Sequence, residues 1–170
     1  NLWVATFRGV LNYFDRRTEL FTSYRAQSGR LDELSMNKLF AVEPDSKGGL
    51  WVATAGRGIN YFDPGSPTFR VWDADDKNPG LLMNSSMTGC LKMDRSGWLW
   101  IGTNNGACRF DPENQDFEYF PFVPGLERSL SNGFVTDIVE DSQGNIWLGT
   151  AHGLNRWDAG KGVFVKYFFT

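Results

Sequence analysis

Histidine is almost absent from this 170-residue chain, cysteine is scarce, and long apolar runs are missing altogether. His152 is the only histidine. With no second histidine or paired cysteine beside it, a zinc site is not expected. No Ser–His–Asp arrangement can be assigned and Gly-x-Ser-x-Gly does not occur, so the common routes to a serine nucleophile are not visible. The two cysteines, Cys90 and Cys108, fall on the first and third strands of one expected sheet. Such strands lie about 9–10 Å apart, beyond the reach of a disulfide, so both read as small buried apolar residues. No apolar run approaches the roughly 20 residues that span a bilayer, so no membrane contact is expected of this segment. No signal peptide precedes Asn1. The chain opens inside a phrase it later repeats, so it is expected to be part of something longer, and the missing signal says nothing of compartment. Net charge is −3, from 17 basic and 20 acidic residues, with no basic stripe, which argues against a nucleic-acid partner. No 3.6-residue apolar period survives over a useful length, so helices are not expected.

What is present is a repeat. The chain is 41% hydrophobic, 22% charged and 15% aromatic, a globular balance heavy in aromatics. Most of the aromatics obey one period. Leu2-Trp3-Val4-Ala5-Thr6, Leu50-Trp51-Val52-Ala53-Thr54, Leu99-Trp100-Ile101-Gly102-Thr103 and Ile146-Trp147-Leu148-Gly149-Thr150 place their tryptophans 48, 49 and 47 residues apart. A fixed period in this range signals a repeat architecture.

Aligned on that tryptophan, each unit reads as four short strands, a to d. Asp45, Asp94 and Asp141 stand six residues before it, and Gly48, Gly97 and Gly144 three before. Asp-x-x-Gly between apolar runs is hairpin chemistry: aspartate accepts from backbone N–H groups ahead of it and glycine supplies a positive φ. Strand a precedes this turn and strand b is the tryptophan phrase. A second tight turn leads to strand c, seen as Leu11-Asn12-Tyr13-Phe14, Ile59-Asn60-Tyr61-Phe62, Ala107-Cys108-Arg109-Phe110 and Leu154-Asn155-Arg156-Trp157, each closed by an aspartate. Strand d carries Phe21, Phe69, Phe117 or Phe164, and three residues later Tyr24, Trp72, Phe120 or Tyr167. Polar links with Leu34-Ser35, Met83-Asn84 and Leu130-Ser131 lead into the next strand a.

Four-stranded units of this length build a β-propeller. The expected fold is therefore all-β: a partial propeller over 1–170, with strands b to d of one blade at 1–25 and full blades at 36–72, 87–120 and 134–168. That makes 15 strands, or about 3.75 blades. Tryptophan and phenylalanine are expected to pack blade on blade. The remaining blades of the same propeller, or a second copy of the chain, are the expected partners, because open blade faces and edges invite association.

The phrases Asp141-Ser142-Gln143-Gly144-Asn145-Ile146-Trp147-Leu148-Gly149-Thr150 and Gly153-Leu154-Asn155-Arg156-Trp157-Asp158 resemble the two-component regulator propeller repeat, and the resemblance runs over essentially the whole chain. Its departures are local: Cys108 replaces the asparagine of the other copies, and Ala5 and Ala53 replace glycine. The resemblance implies the extracytoplasmic, periplasmic sensing region of a bacterial hybrid histidine kinase or related regulator. It also implies glycan breakdown products as ligands and a non-enzymatic role.

Function tends to reside on variable loops held by a rigid scaffold. The b–c turns and d–a links share one end of every blade, and this end carries the longest and most varied segments. Residues there that break the repeat are the candidates for ligand binding: Arg8, Arg57, Asn104, Asn105, His152, Trp72 and Arg128. Hydrogen-bonding side chains beside an aromatic ring suit a sugar or its carboxylate, the expected ligand being an oligosaccharide. The competing reading is a solvated loop surface, and Trp72 also fits the structural aromatic column. The hairpin aspartates read as turn formers, with calcium binding as the alternative. Asp137, whose counterparts are Ala41 and Cys90, could pair with Glu140 or Glu43 as carboxylates for glycoside cleavage. No catalytic residue, metal ligand or cofactor is assigned.

Overall fold

A computed structural model of the chain describes residues 1–7, 9–26, 33–55, 58–66, 68–72 and 87–168. The strands expected from the repeat are all present, in the expected order. The first sheet holds β1 (Leu2–Ala5), β2 (Leu11–Asp15) and β3 (Leu20–Tyr24). The second holds β4 (Leu39–Pro44), β5 (Leu50–Thr54), β6 (Ile59–Asp63) and β7 (Thr68–Trp72). The third holds β8 (Met87–Met93), β9 (Leu99–Thr103), β10 (Gly106–Asp111) and β11 (Asp116–Pro121). The fourth holds β12 (Val135–Glu140), β13 (Ile146–Thr150), β14 (Gly153–Asp158) and β15 (Val163–Tyr167). Strands pair antiparallel in chain order within each sheet, and no strand is exchanged between sheets. β4, β8 and β12 adjoin one another across neighbouring sheets, so strand a is innermost. The chain is thus a partial β-propeller of three complete blades and one three-stranded blade.

The a–b hairpins show why aspartate recurs. Asp45, Asp94 and Asp141 each accept, through Oδ1, the N–H groups two and four residues on, at 2.7–3.0 Å. Gly48, Gly97 and Gly144 hold φ of 87°, 92° and 84°, the left-handed region this turn demands. The second carboxylate oxygen does what a turn former alone does not. Asp94 Oδ2 accepts the Trp100 indole N–H at 2.8 Å, and Asp141 Oδ2 accepts that of Trp147 at 2.8 Å. The six-residue spacing from aspartate to tryptophan therefore locks the turn to the ring of strand b. The aspartates that end strand c close their turns in the same local way, as with Asp111 Oδ1 and the Glu113 N–H at 2.9 Å.

These donors hold the Asp141 carboxyl well below the usual carboxylate range, the Trp147 indole first and Asn145 second. A depressed folded-state pKa contributes stability that is whole above the ordinary value near 3.8 and is lost as pH falls through the folded value. Thermal melts between about pH 5 and pH 2 are therefore expected to fall more shallowly for Asp141→Asn than for the unmodified chain. Equal acid slopes would remove Asp141 as a source of acid sensitivity.

Each blade has two unlike faces. One carries the strand-b tryptophan beside a strand-d aromatic: Trp3–Tyr24 at 5.7 Å, Trp51–Trp72 at 5.3 Å, Trp100–Phe120 at 5.5 Å and Trp147–Tyr167 at 5.4 Å. The other carries the last aromatic of strand c beside the strand-d phenylalanine: Phe14–Phe21 at 4.8 Å, Phe62–Phe69 at 5.0 Å, Phe110–Phe117 at 4.2 Å and Trp157–Phe164 at 4.9 Å. The tryptophan face of one blade packs on the phenylalanine face of the next, through Trp3–Phe62 at 5.3 Å, Trp51–Phe110 at 5.6 Å and Trp100–Trp157 at 5.9 Å. Three buried clusters fill these three joints, one per pair of neighbouring blades.

At the other end of the blade a second polar pin ties two of the links to the sheets that follow them. Asn60 and Asn155 are fully buried on strand c. Asn155 Oδ1 accepts the Ser131 N–H at 2.8 Å and its Nδ2 donates to Ser131 Oγ at 2.9 Å; Asn60 treats Ser35 identically, at 2.8 and 2.9 Å. The Thr150 hydroxyl bonds both Ser131 Oγ and the Gly153 carbonyl, each at 2.9 Å. The third blade has Cys108 in place of the asparagine, fully buried, and burial pushes its thiol up to about 12. No disulfide joins Cys90 and Cys108, and both are buried.

Candidate ligand-binding site

Of the seven residues singled out at the link end, the five that are described do not come together in one site. Arg8 and Arg57 lie outside the described residues. Asn104 and Asn105 are exposed on the β9–β10 turn. Asn105 closes that turn: its N–H donates to Thr103 Oγ1 at 3.2 Å and its carbonyl accepts the Tyr119 hydroxyl at 3.0 Å. His152 is exposed on the β13–β14 turn, its ring 5.6 Å from that of Phe168. Arg128 is exposed in the link before β12, where its carbonyl accepts the Phe164 N–H at 3.3 Å. With Glu127, Lys161 and the outer strand β15 it borders a shallow recess. Trp72 belongs to the joint between the second and third blades, 5.5 Å from Phe110, as its place in the aromatic column implied. Among the described residues no hydrogen bond, ion pair or ring contact joins Asn104, Asn105, His152 and Arg128 to one another.

The carboxylate pair weighed for glycoside cleavage is not assembled either. Side chains alternate across a strand, so Asp137 and Glu140 on β12 point to opposite faces. Asp137 Oδ1 accepts the N–H of its own neighbour Ile138 at 2.8 Å. Glu140 takes the Arg95 N–H at 3.2 Å, and Glu43 takes Lys92 Nζ at 2.7 Å and the Met93 N–H at 3.0 Å. Both glutamates thus tie one innermost strand to the neighbouring blade. No cluster of three or more histidine, cysteine, aspartate or glutamate side chains suits a metal ion among the described residues.

A groove opens at the opposite end, where the a–b and c–d turns lie. It encloses about 950 Å³ against the tryptophan face of the second blade, within the range of small-molecule sites. Trp51, Tyr61, Arg70 and Trp72 form its wall, and the turns of the second and third blades its rim. Here the repeat is broken. Tyr61 stands where the third and fourth blades have Arg109 and Arg156, and Gly49 where they have Trp98 and Asn145. A Cβ at Gly49 would overlap the Tyr61 hydroxyl, so the missing side chain makes room for the ring. Tyr61 then donates to Asp45 Oδ2 at 2.7 Å, taking the acceptor that the indole holds in the next two blades. Burial, then the bond to Asp45, pushes the Tyr61 hydroxyl up to about 12, so it remains a donor at any ordinary pH. Trp51 Nε1 is left buried with no acceptor among the described residues.

The groove's charges are mostly engaged. Lys92 pairs with Glu43 at 2.7 Å, Arg95 with Glu140 at 3.8 Å and, loosely at an exposed position, Lys47 with Glu113 at 3.7 Å. Arg70 is exposed and makes no ion pair among the described residues. The lining holds six carboxylates (Glu43, Asp45, Asp94, Asp111, Glu113, Glu140) and four cations (Lys47, Arg70, Lys92, Arg95). That balance disfavours an anion. It suits a neutral, hydroxyl-rich ligand that stacks on a ring and exchanges hydrogen bonds with guanidinium and carboxylate groups. Composition hid this site because no single residue there is rare. The paired departures at Gly49 and Tyr61 were the signal.

The family model described as two component regulator propeller matches residues 81–105 and 129–152. Two segments of the chain, leading into and through strand b of the third and fourth blades, thus match two-component regulator propeller repeats. The matched segments cover the two hairpins in which aspartate holds the indole N–H, and the Trp51 hairpin lies outside them. The chain is 33% identical over 89 residues to histidine kinase P4 of Formosa agariphila, covering 52% of this chain and 6% of that protein. It is 30% identical over 90 residues to the photosystem II assembly lipoprotein Ycf48 of a Synechococcus strain, covering 50% of this chain and 26% of that one. In three dimensions these propeller repeats are similar to the extracellular domain of the putative hybrid two component system BT3049 from B. thetaiotaomicron. The TM-score is 0.79 at 27% identity, over 98% of this chain and 22% of that one. The repeats described here thus span about a quarter or less of each of these proteins.

Proposed function

We propose that this propeller segment is part of the extracytoplasmic, periplasmic sensing region of a hybrid two-component regulator. In this reading it binds a glycan-derived ligand without turning it over. The observation that carries the reading is the likeness, over nearly the whole chain, to the extracellular domain of a putative hybrid two-component system. The repeats matched in the third and fourth blades support it, as does the histidine kinase among the relatives. The chemistry of the chain supports the non-enzymatic part. The carboxylates that could act on a glycosidic bond are each tied to a cation or to their own backbone.

The groove on the second blade is the site this reading favours, with Trp72 and Tyr61 as stacking surfaces and Arg70, which makes no ion pair among the described residues, as a donor. Calorimetry against a panel of neutral and acidic oligosaccharides, run beside an assay for new reducing ends, tests it. The expected outcome is binding of a neutral member without turnover. Arg70→Ala is expected to weaken that binding about tenfold or more, the worth of one charge-assisted hydrogen bond. His152→Ala is expected to leave it unchanged. Release of reducing ends would sink the sensing reading, and loss on His152→Ala in place of Arg70→Ala would move the site to the link end.

A further inference from the structure

In the third and fourth blades the strand-b indole points to the a–b turn and donates to its aspartate, Trp100 Nε1 to Asp94 and Trp147 Nε1 to Asp141, each at 2.8 Å. The second blade keeps both residues and loses the bond. There the Tyr61 hydroxyl holds Asp45 Oδ2 at 2.7 Å, and Trp51 Nε1 is buried without an acceptor among the described residues. Trp51 is only 2% exposed, yet it lines the groove, as Asp45 does. A buried donor left unpaired is costly, so an acceptor brought from outside the chain gains more there than at an open surface.

The aspartate of this hairpin has room as well. Asp141 takes four donors, two on each carboxylate oxygen: the N–H groups of Gln143 and Asn145 on Oδ1, and Asn145 Nδ2 with the Trp147 indole on Oδ2. Asp45 takes the N–H groups of Lys47 and Gly49 on Oδ1, but Tyr61 alone on Oδ2 among the described residues. Gly49 is the reason, since it stands where Asn145 supplies its side-chain amide. Asp94 also takes a single donor on Oδ2, but that donor is its own indole. Of the three hairpins, the second alone brings to one groove an unpaired indole and an aspartate oxygen that still has a lone pair to offer.

The two vacancies differ in kind, and together they select a chemical group. An ether or carbonyl oxygen accepts and cannot donate. An ammonium donates and cannot accept. A carboxylate would set its charge against that of Asp45. A hydroxyl does both jobs with one oxygen.

We propose that Trp51 and Asp45 are the specificity-determining pair of the groove and read one hydroxyl of a neutral sugar. The hydroxyl oxygen accepts from Trp51 Nε1, and its hydrogen goes to Asp45 Oδ2. This rests on the reading of the groove as a glycan site and adds which ligand atom is recognised and by which groups. A sugar that carries this hydroxyl as a methyl ether cannot donate to Asp45, and one that lacks it leaves the indole unpaired, so both are discriminated against. Trp157 supplies an internal control. Its Nε1 is also buried and unpaired among the described residues, but it sits in the joint between the third and fourth blades, away from the groove.

Nitrogen-15 spectra of the tryptophan indoles test this on the unmodified chain, with maltotetraose, cellotetraose and xylotetraose as probes. A tetrasaccharide that binds is expected to shift the Trp51 N–H signal. The signals of Trp100 and Trp147, already bonded to aspartate, and of Trp157 are expected to stay in place. Trp51→Phe keeps an aromatic ring and removes the donor, and is expected to raise the dissociation constant of that tetrasaccharide about tenfold or more. Binding that leaves the Trp51 signal unmoved, or that Trp51→Phe does not weaken, overturns the pair while the glycan reading stands. Should Trp51→Phe lose its β spectrum, the shift on the unmodified chain decides. If none of the three sugars binds, that failure belongs to the glycan reading, and glycerol at molar concentration tests the pair by itself. A Trp51 signal that moves while that of Trp157 does not upholds a hydroxyl-reading pair, and a Trp51 signal that stays in place, or moves only together with that of Trp157, overturns it.

Discussion

Trp100→Ala is expected to destabilise the chain by about 3–5 kcal/mol, the cost of removing a large ring from a packed core. Trp100 is fully buried, stacked 5.5 Å from Phe120, edge-on to Trp157 at 5.9 Å, and bonded through its indole N–H to Asp94. Alanine would open a cavity in the joint between the third and fourth blades and leave Asp94 Oδ2 without its donor. Trp100→Phe separates the two costs, since it keeps most of the volume and loses only the hydrogen bond. Its expected cost is about 1–3 kcal/mol. Denaturant midpoints for the pair decide the matter. Equal losses would mean that packing contributes little and that the aspartate bond holds the joint.

The second large effect lies at the opposite end of the blades. Asn155→Ala is expected to cost about 3 kcal/mol, because it strands a backbone donor and a hydroxyl in a part-buried position. Asn155 is fully buried and holds the N–H and Oγ of Ser131. Its Nδ2 also donates to the Leu148 carbonyl at 3.3 Å. Amide hydrogen exchange gives a readout that global stability does not. Protection is expected to fall at Ser131 and its neighbours before it falls in β13 and β14, since only the link loses its anchor. A uniform loss across the blade would show that Asn155 supports the sheet and not the link. In the third blade both partners of this pair are replaced, with Cys108 at the asparagine position and Asn84 where the other two links have Ser35 and Ser131.

The sequence announced the strands because their chemistry is local. A hairpin needs an aspartate and a positive-φ glycine at set distances, and a blade needs aromatics at set places on its strands. Such features repeat in print, as at Asp94, Gly97 and Trp100. The partner of the second aspartate oxygen was less legible: the six-residue spacing to tryptophan was plain, but spacing does not say which atoms meet. Residues at the link end drew attention because they varied. Variation marks solvent as readily as it marks a ligand, and Asn105 proved to be closing its own turn. The groove was missed because its signal was a pair of ordinary residues, Gly49 and Tyr61, far apart in the chain and meaningful only together.

The sequence alone determined the number of strands, their order, their turns and which residues form the aromatic columns, since each depends on neighbours within a few positions. Tertiary structure alone decided that Tyr61 displaces the Trp51 indole from Asp45 and that Asp137 and Glu140 face apart. Those outcomes depend on which side chains from different strands and blades reach the same volume. That competition is settled by packing, and no run of letters records it.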